Sequence, residues 1–204
     1  MNWEKLAEKS SVERAVAALK NNGFDVVLAK NGNEAKQKAL ELLSAVPDAS
    51  VMSVSSTTCD TIGLNAEINE SGKFNSARKK LIALDRKTQG KQMREIGAAP
   101  DFVVGSVHAV TEEGHALIAS ASGSQLPAYS YGAGKVIWVV GSQKIVKNLK
   151  EAEARLYEHV VPLEDARARK AYGVGTAVNK LLVFNKESVP GRITMILVDE
   201  KLGF

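Results

Sequence analysis

Four consecutive hydroxyl residues, Ser55-Ser56-Thr57-Thr58, follow the strand-like run Val51–Val54 and precede a short helical pattern. A strand that runs into small hydroxyls at a helix start offers hydroxyl and backbone N–H donors to an anion. In an open α/β sheet, the carboxyl ends of the strands are where ligands sit. The competing reading is helix capping, for which one Ser or Thr suffices. A run of four exceeds that need. A second cluster, Ser120-Ala121-Ser122-Gly123-Ser124-Gln125, repeats the arrangement after another strand-like run. Gly123 permits close backbone approach, and Gln125 offers both a donor and an acceptor. Ser122, Gly123, Ser124 and Gln125 are therefore candidate ligand contacts, with a simple capped loop as the alternative.

A third candidate is Thr111-Glu112-Glu113-Gly114, which reads as the tip of a hairpin. A carboxylate there is ordinarily solvated; Glu112 is the one placed to act as acid, base or nucleophile. Read with Glu113-Gly114 as a two-residue turn, Glu112 pairs with His115, and His108 lies roughly 13 Å away along the strand. One metal ion cannot hold both histidines, and His159 is remote in sequence, so no metal site is expected. Cys59 at a helix start has the setting of an activated thiol, but a buried structural thiol is the preferred reading. Gly132-Ala133-Gly134-Lys135 lacks the spacing and the following helix of a phosphate-binding loop. Gly173-Val174-Gly175 lacks a third glycine and a preceding strand. No cofactor is expected from either.

These residues need elements to carry them. Residues 3–22 read as an amphipathic helix ended by Gly23, and residues 34–45 as a second helix broken by Pro47. Strand-length apolar runs fall at 25–29, 49–54, 101–107, 115–120, 135–141, 180–185 and 192–198. Residues 75–97 look helical with a break at Gly90; 148–160 form a helix that Pro162 should stop, followed by a second over 164–172. Most of the strands are continuously apolar, as in strands covered on both faces. The pattern predicts an α/β fold with a mostly parallel central sheet that includes 25–29, 50–54, 101–105, 115–119 and 135–140, with helices on both sides. No linker divides the chain, so residues 1–204 read as one domain, with 1–23 a helix packed on it.

Composition agrees and excludes other classes. The 204 residues are 45% hydrophobic and 25% charged, and carry a net charge of +4. That is the globular average. The longest strongly apolar run, Val136–Val140, falls far short of the ~20 residues of a membrane helix. The amino-terminal stretch has no apolar signal core, and one cysteine forms no internal disulfide, so a cytoplasmic location and no membrane partner are expected. Between Lys73 and Arg94 the charge is +7, against −3 for the rest. With only Phe74 for stacking and no nucleic-acid motif, this stretch reads as a solvated helical face, and no specific nucleic acid is expected.

Taken together, the hydroxyl loop Ser56-Thr57-Thr58, the block 105–125 (GSVHAVTEEGHALIASASGSQ), the stretch 132–152 (GAGKVIWVVGSQKIVKNLKEA) and the ending 190–204 (PGRITMILVDEKLGF) resemble the lactate-utilisation (LUD) domain family, over roughly residues 10–204. The resemblance implies a three-layer α/β/α sandwich, similar to ribose-5-phosphate isomerase, glucosamine-6-phosphate deaminase and the CoA transferases. It also implies a link to lactate or related carboxylate metabolism. Some longer relatives carry a cysteine-bearing tail; this chain has no cysteine after Cys59 and looks like the stand-alone type. In the related CoA transferases a glutamate in a Glu-x-Gly setting is the nucleophile, and Glu112-Glu113-Gly114 is similar in outline.

Two expectations follow. In the first, a small anionic or phosphorylated metabolite binds between the loops 55–58 and 122–125, beside Thr111. Glu112 then serves as base or nucleophile, and Lys144 and Arg167 supply counter-charge. In the second, the fold is a non-catalytic module that docks to oxidoreductase partner proteins. A homodimer is compatible with either.

Overall fold

The computed structural model describes residues 2–204. Helix α1 (Lys9–Asn21) buries Ala15 and Leu19 and ends at Gly23. It is shorter than the 3–22 expected, because Trp3 leaves the helical line to pack on a separate apolar cluster. Strand β1 (Asp25–Ala29) leads to α2 (Gly32–Ser44), whose first turn is capped by the Asn31 side chain accepting from the Glu34 N–H at 3.0 Å. Then come β2 (Ser50–Ser53), α3 (Thr57–Thr61), α4 (Leu64–Glu70), β3 (Asn75–Ser76), α5 (Ala77–Ile82), α6 (Gly90–Ala98) and β4 (Phe102–Gly105). Strands β5 (Ala109–Thr111) and β6 (Ala116–Ser120) form a hairpin. A π turn (Ala128–Gly132) precedes β7 (Lys135–Gly141) and β8 (Ile145–Val146). Helix α7 (Leu149–Arg155), a second π turn (Leu156–Val160) and α8 (Val161–Tyr172) form one uninterrupted helical run, and a loop over 173–179 leads to β9 (Lys180–Phe184) and then β10 (Ile193–Val198).

The central sheet has six strands in the order β1-β10-β7-β4-β2-β3, all parallel. The chain leaves β2 for β3 on one side and returns as β4 on the other. A crevice therefore opens at the carboxyl ends of β2 and β4, the kind of reversal point where such sheets bind ligands. Strand 116–120 is not in this sheet, contrary to expectation. It pairs antiparallel with β5 and β9 in a second sheet of order β8-β5-β6-β9. A continuous apolar run states that a strand is buried on both faces; it does not state which strand lies beside it.

The fold is the expected three-layer α/β/α sandwich. Alternate residues of β7 face opposite ways. Ile137 and Val139 meet Ala35, Ala39 and Leu43 of α2 and Leu64 and Ile68 of α4. Val136, Trp138 and Val140 meet α1 and the inner face of the second sheet, whose outer face carries α7. Trp138 is the hub of that second core, edge-on to Tyr129 at 5.4 Å and to Phe184 at 5.1 Å. Truncating such a residue to alanine costs about 3–5 kcal/mol.

Two local expectations need correction. The hairpin turn has three residues: the Thr111 N–H donates to the His115 carbonyl and the Gly114 N–H to the Thr111 carbonyl, each at 2.9 Å. Thr111 therefore faces His115, leaving Glu112 in the turn, and Gly114 supplies the left-handed φ of +81° that this loop needs. Pro162 does not stop its helix. The Val161 N–H reaches back to the Leu156 carbonyl, five residues earlier. The widened turn restarts the helical register, and Pro162 falls in the first turn of α8, where a missing N–H is tolerated. Among the described residues, no helix is long and apolar enough to cross a membrane.

Candidate functional site

The crevice is a cleft of about 790 Å³, walled by the loops after β2, β4, β6 and β7 and by α8 with residues 172–178. That volume suits a small metabolite. The hydroxyl loop forms one wall, but three of its four hydroxyls have separate tasks. Ser56 caps α3, accepting from the Cys59 N–H at 3.3 Å. Thr58 is buried and donates to the Leu202 carbonyl at 3.2 Å. Gly203, with φ +63°, lets the carboxy-terminal segment lie that close; a Cβ there would collide with the Thr58 hydroxyl. Ser55 is exposed and accepts from Arg78 at 3.1 Å. Because α3 is only five residues long, the anion cradle expected from a helix dipole here has little dipole behind it. Ser55 and Thr58 instead hold side chains.

The chief of these is Lys144. It follows β7 in a stretch, Gly141–Val146, that is buried throughout, and the residue itself is 3% exposed. Its Nζ donates to Thr58 Oγ1 at 2.9 Å, to Ser106 Oγ at 3.2 Å and to the Val107 carbonyl at 3.2 Å. Among the described residues no carboxylate lies within ion-pair distance of it. Burial, with the Arg155 cation nearby, pulls its pKa down to about 7.

His108, on the cleft wall, accepts at Nδ1 from the Ala119 N–H at 3.1 Å, which leaves Nε2 as the protonated nitrogen. Desolvation, then Lys144 and Arg155, hold it neutral with a pKa near 3. Arg155 is fully buried; it donates to the His108 carbonyl, while its Nε and second NH₂ have no partner. Beside them the Cys59 thiol, buried and pushed up to about 12, is neutral, as a structural thiol should be.

Of the candidates from sequence, Ser55, Ser56, Thr57, Thr58, Ser122, Ser124, Gln125, Lys144 and Arg167 share this one cleft. Gly123 does not reach its wall: its N–H closes on Ser120 Oγ at 2.8 Å and its α-carbon faces Lys180. Gln125 is partly occupied with Ser120, at 2.9 Å. The segment after it winds into a π turn and not into the expected α-helix. Arg167 is already matched by a two-point contact with Glu164, at 2.6 and 2.7 Å, and lies over Tyr172.

Thr111 is fully buried and accepts from the His115 N–H at 3.0 Å, a hairpin contact away from the cleft. Glu112 is likewise outside it. Its carboxylate is gripped by Arg14 of α1 at 2.7 and 3.0 Å. That bond holds its pKa below the ordinary range, the reverse of the rise an acid or base working near neutral pH needs. Among the described residues no three His, Cys, Asp or Glu side chains gather as a metal set.

Sequence reasoning missed Ser106, His108, Arg155 and Arg78. Arg78 belongs to the basic stretch, which otherwise is a solvated face: Lys79, Lys80, Arg86, Lys87, Lys91 and Arg94 are exposed. Arg78 alone turns inward, donating to the Ser53 carbonyl at 3.2 Å and to Ser55. Ser106 and His108 follow β4 directly, so the rule that pointed to the other loops would have found them.

Fold and cleft define the class: a three-layer α/β/α protein with its cleft at the carboxyl ends of a parallel sheet. Within that class the chain belongs to the LUD domain family, whose profile matches residues 12–203. Among solved structures it is similar to a DUF162 family protein from Deinococcus radiodurans, at 14% identity and a TM-score of 0.59, covering 95% of this chain and 99% of that one. That likeness is one of fold. No curated protein matches the chain.

Proposed function

We propose that this LUD domain binds a small carboxylate or phosphate-bearing metabolite in the cleft, in keeping with a role in lactate utilisation. One observation carries the reading. His108 and Arg78 present donors, and Lys144 a positive charge, to a single cleft, backed by the buried Arg155, and none of the four has an acidic partner among the described residues. A buried cation without a counter-ion is costly, and an anionic ligand would supply what the protein withholds. The Ser55 hydroxyl, which only accepts from Arg78, adds a donor at the rim.

A thermal-shift screen tests this with lactate, pyruvate, inorganic phosphate, sugar phosphates and CoA esters. A ligand at a hundred times its Kd adds about 2.7 kcal/mol of stability. The reading expects stabilisation by at least one anion, lost in Lys144→Met. Silence across the panel would favour the docking-module role.

A further inference from the structure

We propose that Lys144 is a nucleophilic amine that condenses with the carbonyl of a 2-oxo acid bound in the cleft. The inference rests on the anion-binding reading and goes further by naming the reacting group on each side.

Geometry carries the argument. The Lys144 Nζ sits at a cleft wall, 3% exposed, surrounded by neutral oxygens: Thr58 Oγ1, Ser106 Oγ and the Val107 carbonyl. The titratable groups packed around it are Cys59 from α3, His108 from the loop before β5 and Arg155 from α7. The first two are neutral and the third is a cation. Nothing there stabilises an ammonium in the way a carboxylate would. With a pKa of about 7, about half of the amine is free at neutral pH, against roughly one part in 2,500 for an ordinary lysine.

The neutral amine keeps its two N–H bonds toward Thr58 and Val107. The Ser106 hydroxyl, 3.2 Å from Nζ, gives its own proton to the Val107 carbonyl at 3.4 Å and not to the amine, so that proton does not cover the nitrogen lone pair.

The step balances without an oxidant or a metal. Nζ attacks the carbonyl carbon; the C–N bond forms as the π pair moves to oxygen, which takes up the first proton that nitrogen sheds. The carbinolamine C–O bond then breaks and the hydroxyl leaves as water with the second nitrogen proton, and an imine remains. Amine and ketone go in; imine and water come out. The substrate carboxylate furnishes the negative charge that the cleft lacks, next to the iminium formed when the imine is protonated.

The test uses the full chain with pyruvate as the probe and sodium cyanoborohydride as the trap, read by intact mass and peptide mapping. The expected result is one reduced adduct on Lys144, formed at least tenfold faster than on any other lysine, with a rate that rises through about pH 7. A parallel thermal-shift measurement with pyruvate and no reductant separates the two readings. Stabilisation by pyruvate without an adduct on Lys144 overturns the covalent step and leaves anion binding standing. Adducts spread over surface lysines, with none favoured, overturn it as well. Neither stabilisation nor adduct removes both readings for 2-oxo acids. The mapping is done on the unaltered protein, so it does not depend on a variant folding; Lys144→Arg serves as a control in which the adduct should vanish.

Discussion

The Lys144 amino nitrogen lies 2.9 Å from the Thr58 hydroxyl, across a sequence separation of 86 residues. Thr58 in turn donates to the Leu202 carbonyl, so three distant segments meet at one oxygen. Replacing Thr58 by Val removes that oxygen and leaves a buried amine short of an acceptor. The loss should be about 1–3 kcal/mol in urea unfolding. Thr58→Ser keeps the oxygen and should retain most of the stability.

Gly203 should be intolerant for a related reason. Its φ of +63° and the collision awaiting any Cβ with Thr58 both oppose a side chain. Gly203→Ala is expected to cost more than about 1 kcal/mol and to weaken whatever anion stabilises the parent protein. Chemical denaturation and the thermal-shift assay read the two effects separately.

His108 makes the fold sensitive to acid. Its folded pKa of about 3 lies below the ordinary histidine value. Between these two limits the unfolded chain therefore binds a proton that the native state refuses, and stability falls as pH drops through that window. Lys144 acts in the same sense at higher pH: its folded value of about 7 is depressed, so stability should climb from pH 7 toward the ordinary lysine value. Urea midpoints measured against pH should show both slopes. His108→Gln should flatten the first and Lys144→Met the second.

Glu112 should be dispensable for ligand binding. Its contact with Arg14 is largely exposed on the arginine side, at 54%, and such pairs contribute little. Glu112→Gln is expected to lower stability slightly and to leave anion-induced stabilisation intact. A lost ligand response in a well-folded variant would return Glu112 to the site.

Arg78 should matter in the opposite way. Arg78→Gln removes a rim cation with little packing role, so affinity for the stabilising anion should drop roughly tenfold, the worth of one charge-assisted bond. Its salt dependence should weaken too. Titration by calorimetry at two ionic strengths measures both.

Local chemistry determined a great deal of this protein. The runs 25–29, 135–141 and 192–198 form strands at nearly the expected limits, because β-branched and apolar residues between Gly and Pro boundaries act over a few residues. The hydroxyl loop was legible for the same reason: a loop directly after a parallel strand ends at the sheet's carboxyl edge wherever that strand lies in the order. Lys144 and Arg167 were legible only as charges of the right sign. Nothing local distinguishes a lysine that will be stripped of water from one that will not.

Tertiary structure alone decided the pairings. Strand 116–120 went to a second sheet because strand order is set by long-range packing, not by composition. Glu112 met Arg14 across 98 residues, and that contact turned a candidate catalytic carboxylate into a surface ion pair. Arg78 left a basic stretch to face the cleft because α5 packs directly behind β2. Partners brought together from such distances govern desolvation and hydrogen bonding, and those in turn set the pKa values on which the chemistry of the cleft depends.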